Sequence, residues 1–185
     1  MNSRTTLLAL VLCATLFGCA VQSLKTSGDV VSERRVATVK VIIDPTLPSQ
    51  ISITRHRSGT VTEADKITAK TNANKLVHLF SNGFTTKFPV LASGYGLATA
   101  NPPDNAAIMK ISVMSLMMDC SGFGCQSTLV VKGELLSASA TPFWQFSSRV
   151  GQKIVNSPIS DELFDTFATA LLEAMKKDNV IARNQ

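Results

Sequence analysis

Histidine is scarce in this sequence: of 185 residues only His56 and His78 are histidines, and they lie apart without partner spacing. Two isolated imidazoles give no metal centre. The hydrolase arrangements G-x-S-x-G and S-x-x-K are missing from any catalytic context, so a catalytic reading has no constellation to rest on. Acids do pair at Glu63 and Asp65 and at Asp161 and Glu162, but those are places where helix starts routinely carry carboxylates. Gly94-x-Gly96 and Gly122-x-Gly124 lack the strand-to-helix setting of a phosphate loop. Dense basic blocks are also missing. The net charge is +5, and its longest clusters, Arg34-Arg35 and Arg55-His56-Arg57, are too sparse for a nucleic-acid footprint. No internal repeat is found. Neither cofactor, metal nor nucleic acid is expected, and the chain is read as not an enzyme.

Long apolar runs are missing too. The stretch Leu7–Phe17 follows Arg4 and precedes small residues, yet it falls short of the roughly 20 residues that cross a bilayer as a helix. A short apolar run between a positive start and small residues is the pattern of an exported leader. Its end, Leu16-Phe17-Gly18-Cys19, resembles the lipobox of bacterial lipoproteins; Leu16, Gly18 and Cys19 match, and Phe17 is bulkier than the usual residue. The resemblance implies a diacylglyceryl thioether on Cys19, cleavage before it and acylation of the new amine. Three chains at about 0.8 kcal/mol per buried CH₂ anchor far more firmly than one. Ala20 stands where Asp commonly retains such proteins in the inner membrane, which implies the outer membrane of a Gram-negative cell. The expected division is therefore a signal peptide over 1–18, a lipidated N-terminus and tether over 19–35, and one periplasmic domain over 36–185.

Of the four cysteines, Cys13 is lost with the leader and Cys19 takes lipid. Cys120 and Cys125 remain, and an even pair in an oxidising compartment reads most simply as a disulfide. Two glycines between them make Cys120-Ser121-Gly122-Phe123-Gly124-Cys125 the loop of a β-hairpin. Free thiols or a redox pair are the alternatives, although the spacing is not C-x-x-C.

The patterning of the remainder predicts an α+β fold. A β-branched strand over Val36–Ile43 ends at Asp44-Pro45, and Ile51–Arg57 reads as a second, short strand. Thr62 caps a helix whose stripe is Ile67, Leu76, Val77, Phe80, Phe84 and Phe88, ending near Gly83 or kinking on towards Leu91. Three antiparallel strands follow over 107–119, 127–137 and 142–150, with Ile111, Val113 and Ser115 alternating against Lys110, Ser112 and Met114. A last helix opens at Ser160-Asp161-Glu162, and its apolar stripe is Leu163, Phe164, Phe167, Leu171, Ala174 and Met175. These elements assemble as a mainly antiparallel sheet of about four or five strands with two helices on one face. That arrangement is similar to small sheet-and-two-helix periplasmic accessory lipoproteins.

The function expected is a non-catalytic accessory or interaction module of an envelope transport or assembly complex, held by its lipid and partnered by an envelope protein. Trp144 and Phe146 share a strand face and are candidate interface aromatics. The alternative is a binder of an anionic ligand, lipid head groups or cell-wall polymer, through Arg34, Arg35, Arg55 and Arg57. A periplasmic enzyme is a further alternative.

Overall fold

A computed structural model of the chain describes residues 22–24, 35–46, 48, 50–55, 59–121, 124–154 and 162–181. In chain order its elements are β1 (Gln22–Leu24), β2 (Val39–Ile43), β3 (Gln50–Arg55), α1 (Glu63–Thr86), α2 (Phe88–Gly94), β4 (Ala107–Ser121), β5 (Gly124–Leu136), β6 (Pro142–Ile154) and α3 (Glu162–Lys177). The fold is α+β, as the patterning predicts, with a mostly antiparallel sheet.

Three long strands make the centre. β4, β5 and β6 pair antiparallel in sequence order, and rows such as Leu116–Leu129–Val150 run across them. One face is apolar and buried: Met109, Ile111 and Val113 on β4, Leu129, Val131 and Leu135 on β5, Trp144, Phe146 and Val150 on β6. The other keeps Lys110, Ser112, Lys132, Glu134 and Gln145 partly exposed. Alternation along β4 does not run through, however. The register shifts between Val113 and Ser115, so the buried set passes from odd positions to Leu116 and Met118. Ser115 therefore leaves the face that Ile111 and Val113 share, contrary to the simple alternation, because a bulge inserts one residue and inverts every side chain beyond it.

The edge of β4 is shared by two short strands that run parallel to it. Val39–Ile43 pairs with Ala107–Ile111, and Gln50–Arg55 with Ser115–Cys120. Between them Asp44 fixes a turn: its Oδ1 accepts from the Thr46 backbone N at 3.0 Å and from Thr46 Oγ1 at 2.6 Å. Those bonds, the hydroxyl first, hold its carboxyl below the usual range. The opposite edge, on β6, carries β1 in antiparallel register, Gln22 against Arg149 and Leu24 against Ser147. Part of the stretch read as a tether is thus a sheet strand, satisfying main-chain groups that an open edge leaves unpaired.

The helices cover the apolar face. α1 starts in a capping box of Thr62 and Asp65. Its buried stripe is Ala69, Ala73, Leu76, Val77, Phe80, Gly83 and Phe84, whereas Ile67 is 62% exposed and does not belong to it. The helix does not stop at Gly83 but breaks at Lys87. Pro89 lies in the first turn of α2, where a missing N–H costs nothing, so three helices stand where two were expected. The layers meet through aromatics: Phe146 lies 6.0 Å from Phe167, and Phe80 and Phe84 pack edge-on against Phe164.

Candidate functional site

The hairpin end of the sheet gathers the cysteine pair. Cys120 and Cys125 are directly opposed in the β4–β5 ladder, one step before Ser121 and Gly124 close it. Opposed antiparallel residues have Cα atoms about 4.5–5.5 Å apart, within the span a disulfide bridges. Mass spectrometry of the oxidised protein is expected to find the peptides of Cys120 and Cys125 joined, two hydrogens lighter than the dithiol. Reduction is then expected to lower stability by about 2 kcal/mol, the chain-entropy value for so small a ring; recovery of two alkylatable thiols without reductant would refute the pairing.

Arg55 ends at this same level, opposite Cys120. Its Nη2 donates to Asp65 Oδ1 at 2.6 Å, while the Thr62 backbone N and Oγ1 donate to Asp65 Oδ2 at 2.8 and 2.7 Å. A helix cap thus doubles as the counter-ion of a strand-end arginine. The Arg55 hydrogen bond first, then those from Thr62, hold the Asp65 carboxyl down at about 2, against an ordinary 3.8. A lowered carboxyl stabilises the fold fully above its unfolded value, and that contribution disappears as pH falls from about 4 through about 2. Thermal melts across this window are expected to show the wild type losing more melting temperature than Asp65→Asn, which has no carboxyl to protonate; parallel curves would contradict the pairing.

Of the four arginines considered for an anionic ligand, Arg35 and Arg55 are held apart. Arg34 and Arg57 lie outside the described residues, as do Cys19 and His56. Arg35 is exposed just ahead of β2, whose first residue Val39 pairs with Ala107, whereas Arg55 pairs with Cys120. Thirteen steps of β4, at about 3.3 Å each, put those levels roughly 40 Å apart. One compact ligand cannot span them. Arg35 instead rims a cleft of about 390 Å³ with Thr38, Asn105, Ser137 and Phe143, formed where β2, β4 and the β5–β6 turn converge.

A second cleft, of about 370 Å³, runs between α1 and the start of α3. Lys75, His78, Asn82 and Thr86 rim it, and Leu79, Gly83 and Phe164 make its floor. The spacing of three and four along the exposed side of α1 is the signal that reading His78 singly had missed. Lys87 at one end stands 3.7 Å from Asp165. The cleft has a cationic rim, and the Thr86 hydroxyl beside it donates to the Asn82 carbonyl at 2.8 Å.

Trp144 and Phe146 do share a face, but it is the covered one. Each is 3% exposed, their rings stack 6.2 Å apart, and Trp144 Nε1 donates to Asp178 Oδ2 at 3.0 Å. They are core residues rather than interface anchors, because α3 needs the large side chains of β6 to fill the space beneath it.

No family model matches the chain, and no curated protein matches it. Among solved structures it is similar to the PelC dodecamer from Paraburkholderia phytofirmans, at 15% identity and a TM-score of 0.38 over 90% of this chain and 100% of that one. It is also similar to lipoprotein GNA1162 from Neisseria meningitidis, at 14% identity and a TM-score of 0.31 over 76% of this chain and 98% of that one.

Proposed function

We propose that the chain is an outer-membrane lipoprotein, cut before Cys19 and lipidated on it, whose periplasmic domain is a non-catalytic accessory module of an envelope transport or assembly complex. The observation that carries this reading is Leu16-Phe17-Gly18-Cys19 at the end of the apolar run that starts at Leu7. A thiol must meet its lipid donor at the membrane surface, and a small residue must enter the peptidase beside it; Cys19 and Gly18 supply both. Among the described residues no helix is long and apolar enough to cross a membrane. The module role is consistent with clefts rimmed by lysine, arginine and amide side chains.

Metabolic labelling with a radioactive fatty acid is expected to mark the wild type and to leave Cys19→Ser unlabelled, with the variant released from the membrane fraction. Label on the variant would refute the lipid site. Pull-down of the lipidated protein from solubilised envelopes is expected to recover an envelope protein. Salt-sensitive binding to anionic vesicles or cell wall without any protein partner would overturn the module reading, as would turnover lost on substitution of His78.

A further inference from the structure

We infer that the Cys120–Cys125 end of the sheet faces the membrane and that the Arg35 cleft faces away from it. The inference rests on the proposed lipidation of Cys19. It is carried by the register of β1: Gln22 pairs with Arg149, Ser23 with Ser148 and Leu24 with Ser147. Followed backwards from Gln22, an antiparallel strand on β6 heads towards Ile154, and Ile154 pairs with Cys125. Only Cys19, Ala20 and Val21 separate the lipid from this anchored strand. At 3.3–3.6 Å per residue they reach about 10 Å at full extension. A freely swinging tether of seventeen residues would leave the domain unoriented, but a leash of three does not.

The same register gives a second constraint. From Arg149 to Ile154 are five strand steps, about 17 Å, so the cysteine end of the sheet extends beyond Gln22 by more than the leash can. Either that end rests in the head-group layer or the strands lean over against it. In both cases the residues beside it, Gln126 on β5 and Glu63 at the start of α1, lie nearest the bilayer; the Arg55–Asp65 ion pair fixes α1 there. The β5–β6 turn lies at the other end of the sheet, where Ser137 N donates to Thr141 O. With it lies the cleft of Arg35, Asn105 and Phe143, some 40 Å along β4 and open to the aqueous side.

The test uses the lipidated protein reconstituted in phosphatidylethanolamine–phosphatidylglycerol vesicles, with an environment-sensitive fluorophore on one cysteine introduced at the exposed positions Glu63→Cys, Gln126→Cys or Ala138→Cys. Nitroxide-bearing lipids are expected to quench the labels at 63 and 126 several-fold more than the label at 138. Flotation with the vesicles reads the anchor separately. A protein that floats but is quenched equally at all three positions, or most at 138, overturns the orientation and leaves the lipid reading standing. A protein that does not float overturns both.

Discussion

Trp144→Ala is expected to destabilise the domain by about 3–5 kcal/mol, the range for emptying a buried large aromatic. Three observations place it there. The ring is 3% exposed, it lies parallel to Phe146 with an interplanar angle of 4°, and its Nε1 is bonded to Asp178. Truncation removes the apolar volume and strips Asp178 of a donor at the end of α3 together. Trp144→Phe separates the two effects: the volume is largely kept, and the loss is expected to be smaller, about 1–3 kcal/mol for a lost hydrogen bond to a carboxylate. Urea unfolding of both variants measures this. Because the face is covered, folded Trp144→Phe is expected to bring down the same envelope proteins as wild type. Loss of those partners from a variant with wild-type stability would mean that the aromatic pair is an interface after all.

Local features of the chain were legible because their causes are local. Thr62 and Asp65 announce a helix start three residues apart, and the capping box forms. The pairing of Trp144 with Phe146 on one face follows from the two-residue period of a strand, and the hairpin around Cys120 and Cys125 from the two glycines between them. Which face becomes the core is a tertiary question, and there the pattern misled. α1 buries Ala69 and Ala73 rather than Ile67, since small residues let the helix approach the sheet while Ile67, about 160° round the helix from Ala69, stays outside. The bulge after Val113 has no glycine or proline within Ile111–Met118 to mark it. Parallel pairing of β2 and β3 with β4 depends on the α1–α2 crossover returning the chain to the same edge, which spacing alone does not encode. β1 is harder still: Gln22-Ser23-Leu24 carries no strand pattern, and its place comes from the open edge of β6. Arg35 and Arg55, twenty residues apart in the chain, are likewise separated by most of the length of a fifteen-residue strand.

Gly83→Ala is expected to destabilise the domain although alanine is the better helix former. The gain in propensity is about 1 kcal/mol. Against it stands Phe164: a Cβ on Gly83 would lie 2.4 Å from its Cδ2 and 2.5 Å from its Cγ. The ring has little freedom to retreat, because it is packed edge-on against Phe84 at 5.0 Å and Phe80 at 6.1 Å. Overpacking of a closed core costs about 1–3 kcal/mol, and contact with three ring atoms puts this site at the upper end, for a net loss of about 2 kcal/mol. Gly94→Ala supplies the comparison. Nothing lies within 4 Å of a Cβ there, so that variant is expected to be neutral or stabilised by up to about 1 kcal/mol. Chemical denaturation of the two variants decides the matter: equal stability would show that α1 and α3 slide apart freely at Gly83, and that the close approach of these helices does not hold the cleft between them in shape.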